Sequence, residues 1–440
     1  MQGKRADMAA TATLSRILRT CIVPVLLLLS AVYVLLVFAV VIRWYRWIND
    51  QPAGVILSIA IPPAIFFPIF DGKLPPIIFG HGFMTGTPPV PDDMVPLPRP
   101  NNELFLDLPG GYRMPQAGLG MCCRASAYDD VLVRRTVLWY LLLGGRHLDT
   151  AHFYMNHRAI GQGIQDAIQR GVSREEIFVT TKLSPSYYGY NSTLQGVPTY
   201  LEELQLDYID LVLMHFPVGL SLECGPLTYA ECRADTYRAL SELRIADVDE
   251  RGVCDTRNNS KKGVIRNIGV SNFAVPDLQH IQGLNLAPIA VNQIQFNPWA
   301  QTVSKKTYQY CRAQNISITA YASLGGMPQY VMAQSTEELD FVTLHAIARK
   351  HSKSVPQVML RWALQNHMAI IPGTGNPNHM KENLDVYSFE LDATDMVAIN
   401  TLSDAPFARE FFSMIYNEGN QLTEEGEKRL DEVMWRWKSA

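Results

Sequence analysis

Several things that would direct a reading are scarce in this 440-residue sequence. Charge is one: only 18% of the residues are Asp, Glu, Lys or Arg, the formal net charge is −4, and the globular-looking part has no basic run longer than a few residues. That excludes the electrostatic footprint of a nucleic-acid binder. The seven cysteines form neither a CxxC pair nor a Cys/His cluster, so no metal site and no disulfide scaffold is expected. Cys122 and Cys123 are adjacent and read as small buried hydrophobic residues, whereas Cys224 and Cys232 share one loop and would pair only in an oxidising compartment. Also missing is a GxGxxG turn after the first strand, which a doubly wound dinucleotide-binding sheet would favour. Apolar material is plentiful, at 48%, which supplies a sizeable core and excludes pervasive disorder.

An uninterrupted apolar run extends from Cys21 to Ile42, with Lys4, Arg5, Arg16 and Arg19 before it and Arg43 and Arg46 after it. It is long enough to span a bilayer and longer than a signal-peptide core of about 7 to 15 residues, and no small-residue cleavage site follows before Arg43. A retained transmembrane helix is expected, anchored at its end by Trp44, Tyr45 and Trp47. The expected organisation is a basic segment (1–20), the helix (21–42), a Pro-rich linker (43–102), a catalytic barrel (103–405) and a tail (406–440). A second apolar run, Ala53 to Phe70, contains Pro62, Pro63 and Pro68, so it reads as linker or as a broken membrane segment. The excess of cations before Cys21 places the N-terminus in the cytoplasm. A kinked hairpin formed by both runs would put the barrel there too, which is the favoured arrangement over a single pass. The sequons at Asn191, Asn258 and Asn315 do not decide the side.

From about Glu103 the texture changes to short β-like runs alternating with amphipathic stretches. The expected strands are Ala117–Met121, Gly145–Asp149, Ile177–Lys182, Tyr208–His215, Val264–Ser271, Pro288–Gln293, Ile316–Tyr321 and Met368–Ile371. Helix-like stretches between them include Arg158–Gln169, Thr236–Arg244, Lys305–Gln314, Glu338–His351 and Pro356–Gln365. Eightfold alternation of strand and helix points to an α/β fold, a (β/α)8 TIM barrel. Residues 245–261 are polar and precede the fifth strand, so they belong to the face away from any chemistry. Residues 216–235 follow the fourth strand and overhang the opposite mouth.

Polar residues sit where a purely structural strand would not place them. Asp149 ends the second strand and Tyr154 follows in its loop; Lys182 ends the third; His215 ends the fourth, after Leu211 and Leu213 at period two. In such a barrel the strand ends converge on one mouth. Reduction of a carbonyl needs a hydride donor on one face and an acid to protonate the oxygen. Tyr154 is the candidate acid. A phenol ionises near pH 10, so a Lys182 ammonium is expected to lower that value, with Asp149 keeping the lysine charged and oriented. His215 would fix the substrate oxygen.

At these residues the chain resembles the aldo-keto reductase family. The resemblance covers roughly Phe105 to Ser403, through the segments LDTAHFY, VTTKL, YIDLVLMHFP, IRNIGVSNF, VNQIQFNP, AYASLG and IIPGTGNPNHMKENL. It implies a NAD(P)H-dependent oxidoreductase acting on an aldehyde or ketone, with Asp149, Tyr154, Lys182 and His215 as the catalytic tetrad. Ser271, Asn272 and Gln293 match residues that grip the nicotinamide carboxamide, and Tyr321 the aromatic on which the ring stacks. Ser323, Leu324, Thr374, Glu382 and Asn383 match further cofactor contacts. Many members carry a lysine and an arginine that read the adenosine 2′-phosphate, but Gly373 and His379 stand at those positions here. NADPH is therefore the first expectation and NADH the alternative. Phe153 and Phe216 are expected to line the substrate pocket, with Pro217, Leu220, Phe407, Phe411, Phe412 and Tyr416 extending an apolar mouth. The family also contains cofactor-binding β subunits of potassium channels, which leaves a redox-sensing regulatory subunit as the alternative function.

Overall fold

Eight short parallel strands close on themselves in the computed structural model, which describes residues 87–123, 127–219, 221–245, 263–325 and 341–402. The expected anchor at 21–42, the second apolar run at 53–70, nearly all of the 245–261 insertion, Leu220 and the four C-terminal aromatic residues lie outside these ranges. Among the described residues no helix is long and apolar enough to cross a membrane.

The chain enters through an antiparallel hairpin, β1 (Phe105–Asp107) and β2 (Arg113–Pro115). The barrel strands follow as β3 (Leu119–Gly120), β4 (His147–Asp149), β5 (Phe178–Leu183), β6 (Ile209–Met214), β7 (Ile265–Ser271), β8 (Val291–Gln295), β9 (Ser317–Tyr321) and β10 (Met368–Ile370). Each pairs in parallel with the next. The ring closes where Ala117 bridges Ile370, with Gly118 N–H donating to the Ile370 carbonyl and Ile370 N–H to that of Gln116, both at 2.7 Å. Gly120 permits this closure, because a Cβ there would strike the Ile371 carbonyl oxygen.

Around the barrel run α1 (Asp130–Leu142), α2 (His157–Gln169), α3 (Tyr190–Leu204), α4 (Tyr229–Glu242), α5 (Val275–Gly283), α6 (Gln301–Ala313), α7 (Phe341–His351), α8 (Val355–Gln365), α9 (Pro377–Leu384) and α10 (Ala393–Asn400). The period-two pattern of β6 divides its side chains as a barrel requires. Leu211 and Leu213 pack inside with Leu108, Met114, Phe178, Val291 and Ala369, while Val212 and Met214 pack outward among the helices. Leu108 and Met114 bring the entry hairpin to the amino-terminal end of the barrel, so the opposite, carboxyl-terminal mouth is the one left for a site.

The strands expected from the sequence all form, with ends moved by a few residues; β8 begins at Val291 rather than Pro288. One expected helix departs further, and two others were not among the stretches singled out. Helix α4 starts at Tyr229, not Thr236, because Thr228 and Glu231 form a capping box: Glu231 N–H donates to Thr228 Oγ1 at 3.3 Å, and Thr228 N–H to Glu231 Oε2 at 2.9 Å. Helix α3 contains Gly196 and Pro198, the two residue types with the poorest helix propensity. Tertiary packing overrides propensity at Gly196, where a Cβ would meet the Tyr187 ring at 2.8 Å. Helix α1 was not legible because most of its surface is buried and its polar stripe is correspondingly thin.

The cysteines also differ from expectation. Cys122 is half-buried and Cys123 is exposed, in the left-handed region at φ 67°, and their sulfur atoms stand in contact. Cys224 and Cys232, both buried, are joined by a disulfide, with Cα atoms 5.2 Å apart, well within the range for such a bond. Cys311 is the free, buried thiol among the described residues.

Candidate active site

Asp149, Lys182 and Gln293 come from three strands and meet inside the barrel mouth. Lys182 Nζ donates to Asp149 Oδ1 at 2.6 Å and to the Thr150 carbonyl at 3.0 Å, while Gln293 Nε2 donates to Asp149 Oδ2 at 2.7 Å. Both carboxylate oxygens are therefore engaged, and Asp149 and Lys182 are almost fully buried. A buried ion pair holds only when its remaining donors and acceptors are satisfied. The Gln293 amide and the Thr150 carbonyl meet that requirement.

Tyr154 reaches this pair from a 3-10 turn, His152–Tyr154, that follows β4. Its ring centroid lies 5.1 Å from Lys182 Nζ. The turn is seated from behind: the His152 ring stacks on Tyr200 at 4.6 Å and 15°, and Asn156 Nδ2 donates to the Met121 and Ala127 carbonyls at 2.9 and 3.2 Å. His215, one residue past β6, meets the Tyr154 ring edge-on at 5.7 Å. Phe153 approaches His215 at 5.9 Å and Phe216 stacks on it at 4.6 Å and 9°. The tetrad and both expected pocket aromatics thus converge on one place.

The neighbouring strand ends carry the expected amide cluster. Ser271 Oγ donates to the Gln293 carbonyl at 3.1 Å. Asn272, in the left-handed region at φ 63°, donates to the His215 carbonyl at 3.0 Å and accepts from the Tyr321 hydroxyl at 2.8 Å. Ser323 Oγ donates to the Ala320 carbonyl at 2.7 Å, and Leu324 packs against the outer core. Thr374, Glu382 and Asn383 lie apart from the tetrad, in the loop after β10 and on α9. Thr374 Oγ1 accepts from Asn376 N–H at 3.0 Å, and Asn376 caps the helix by accepting from Asn378 N–H at 2.9 Å. Gly373 and His379 are exposed beside that helix start.

The electrostatics depart from the sequence-based expectation at Tyr154. Its pKa is raised, not lowered: burial of the phenol dominates, the Lys182 charge opposes it, and Asp149 adds to the rise. For Lys182, burial works against the ammonium, yet Asp149 together with the Tyr154 hydroxyl outweighs it, so the pKa rises and the lysine stays charged. His215 is pushed well below the ordinary imidazole value by burial and by the Lys182 charge, and its Nδ1 has no partner within the protein. At neutral pH the site therefore holds a protonated phenol, an ammonium and a neutral imidazole.

Sequence reading missed two supports. The Gln293 amide, expected to face a ligand, also braces Asp149, and Tyr188 holds the backbone of Phe216. Neither has a local signature, since both bonds join segments far apart in the chain.

Burial depresses His147, His157 and His215 as well, and holds His152 at about 4. With folded values below the ordinary one, the unfolded chain binds more protons under about pH 6.5. Their contribution to stability is complete above that pH and is lost as pH falls, with a limiting slope of at most about 1.4 kcal/mol per pH unit for each histidine. Thermal melts at constant ionic strength should show Tm nearly level from about pH 7.5 to about 6.5 and falling increasingly steeply below it. A flat profile would contradict neutral burial.

A closed parallel barrel with its polar groups gathered at the carboxyl ends of the strands defines the class of (β/α)8-barrel enzymes. Within that class the chain belongs to the aldo/keto reductase family, whose model matches residues 117–404. It is 35% identical over 307 residues to the 9,11-endoperoxide prostaglandin H2 reductase of Trypanosoma cruzi, covering 69% of this chain and 93% of that protein. It is also 35% identical over 297 residues to the glyoxal reductase of Bacillus subtilis, covering 67% and 91%. Among solved structures, a Bombyx mori aldo-keto reductase in complex with NADP superposes with a TM-score of 0.56 at 29% identity, covering 69% of this chain and 92% of that one. This chain is an oxidoreductase that passes hydride from NAD(P)H to the carbonyl of an aldehyde or ketone.

Proposed function

We propose that Tyr154 is the general acid of this reaction and that Asp149, Lys182 and His215 complete its catalytic set. The single observation that carries the reading is the buried chain Gln293–Asp149–Lys182 lying against the Tyr154 ring. When bound, the reduced nicotinamide supplies the hydride. As negative charge develops on the carbonyl oxygen, the Tyr154 hydroxyl delivers a proton to it. The Lys182 ammonium stabilises the phenolate left behind, and Asp149 keeps that ammonium charged. A neutral His215 carries one N–H, which donates to the same oxygen and orients it. Phe153 and Phe216, which both lie against His215, would wall the pocket, which suits a carbonyl with an apolar body. Tyr154→Phe tests this assignment: kcat/KM for reduction should collapse while NADPH affinity is kept.

The donor set fits the cofactor. Ser271, Asn272 and Gln293 present a hydroxyl and two amides at adjacent strand ends, the complement of a carboxamide, and Tyr321 offers an aromatic face beside them. Ser323 and Leu324 would border the nucleotide, and Thr374, Glu382 and Asn383 its adenosine end, where the start of α9 offers backbone donors and a favourable dipole to a phosphate. NADPH is the cofactor supported by these residues and by the relatives, but Gly373 and His379 supply no fixed cation. Charge-assisted contacts are worth about 1.5 to 3 kcal/mol each. The NADPH-over-NADH ratio of kcat/KM should therefore be modest, and Gly373→Lys with His379→Arg should widen it on the order of tenfold or more. An unchanged ratio in the double variant would mean that other groups read the 2′-phosphate.

We also propose a retained membrane anchor at Cys21–Ile42, supported by its uninterrupted apolar length and basic flanks. The charge bias supports a cytoplasmic barrel on a hairpin anchor, and the Cys224–Cys232 disulfide argues for a lumenal one. Protease treatment of sealed microsomes decides. Digestion of the barrel is expected for the cytoplasmic arrangement. Full protection, or a glycan on exposed Asn191 or on Asn258, would place it in the lumen.

A further inference from the structure

Tyr188 is fully buried just past the 3-10 turn Pro185–Tyr187, in the loop between β5 and α3. Its hydroxyl accepts from the backbone N–H of Phe216 at 3.1 Å and donates to the carbonyl of the same residue at 2.7 Å. Phe216 lies beyond the end of β6, so no sheet ladder satisfies those two groups. One phenol does the work of a neighbouring strand. Burial raises the Tyr188 pKa, which keeps the donating proton in place.

Tyr188 is itself held firmly. Ser221 Oγ donates to its carbonyl, and the next residue, Gly189, donates its N–H to Thr236 Oγ1 at 2.7 Å. Gly219 packs so closely that a Cβ there would meet Tyr188 Cβ at 2.8 Å. Arg233 Nη1 fixes the intervening chain by donating to the Pro217 carbonyl at 3.1 Å and to Asp277 Oδ1 at 2.9 Å. The half-buried Phe216 ring, stacked on His215, is therefore attached to a backbone whose position Tyr188 sets.

We propose that Tyr188 is a positioning residue for specificity: by gripping both backbone groups of Phe216 it fixes the aromatic wall beside His215 and so favours carbonyls with a flat apolar body over small ones. The inference rests on the reading of Phe216 as a pocket wall. Phenylalanine at position 188 keeps the ring volume and removes both hydrogen bonds, leaving an N–H and a carbonyl without partners in a dry setting. The segment then has reason to shift toward water, taking the ring with it.

The test uses the full chain with NADPH and two probes, 2-naphthaldehyde and propanal, in wild type, Tyr188→Phe, Phe216→Ala and the double variant. Tyr188→Phe should lower the naphthaldehyde-to-propanal ratio of kcat/KM by about tenfold, mainly through KM for the aromatic aldehyde. Phe216→Ala should lower the ratio similarly, and the double variant no further than Phe216→Ala alone. An unchanged ratio in Tyr188→Phe while Phe216→Ala moves it would overturn the proposal and leave the pocket reading intact. Additive effects would overturn it as well, because Tyr188 would then act by a route other than Phe216. An unchanged ratio in Phe216→Ala would remove the pocket reading and the inference together. If Tyr188→Phe does not fold, Ser221→Ala loosens the Tyr188 carbonyl instead; the ratio should fall in the same direction, and no change would count against the proposal.

Discussion

Replacing Tyr154 with phenylalanine is expected to lower kcat/KM for carbonyl reduction by about 10²- to 10⁴-fold while leaving NADPH affinity nearly unchanged. The ring that packs against Lys182 and His215 is kept, so the wall of the site survives. Only the proton donor is removed. Because burial raises the phenol's pKa, wild type holds the proton throughout the neutral range, and reduction should be nearly flat there before falling at alkaline pH. Steady-state rates with an aldehyde panel, together with fluorescence titration of NADPH, separate the two quantities. Wild-type turnover in the variant would sink the assignment of Tyr154.

Lys182→Met should be comparably damaging, by a different route. It removes donations to Asp149 and to the Thr150 carbonyl and strands a buried carboxylate, a situation that typically costs about 3 to 5 kcal/mol. The same change withdraws the one influence that opposes the rise of the Tyr154 pKa. The phenol becomes a weaker acid, so the plateau rate falls and the alkaline limb moves to higher pH. His215 loses the charge that helps to depress it, so its pKa moves up toward the ordinary value and the acid limb moves up with it. Thermal melts give the stability loss and pH–rate profiles the catalytic one. A pH profile superimposable on wild type would contradict any coupling between Lys182 and Tyr154.

Much of the barrel was legible because its causes are local. Period-two alternation in the 209–215 run specifies which side chains face inward, and a polar residue at the end of such a run has to project from the mouth; that is why Asp149, Lys182 and His215 stood out. Helix α3 was not legible, since Gly196 and Pro198 signal a break unless the packing of Tyr187 against Gly196 is known. Nor was the contact between the Cys122 and Cys123 sulfurs, which composition does not show.

The sequence by itself determined the alternating architecture, the family and the identity of the four polar residues at the barrel mouth, because strand periodicity and residue chemistry are properties of short segments. Tertiary structure alone decided what those residues do to one another. It set the direction of the Tyr154 pKa, since burial of a phenol depends on everything packed around it and here outweighs the nearby ammonium that the sequence shows. It placed Gln293 on Asp149, 144 positions away in the chain, and Tyr188 on both backbone groups of Phe216. Desolvation and long-range hydrogen bonds arise only when distant segments are brought together, so no local pattern encodes them.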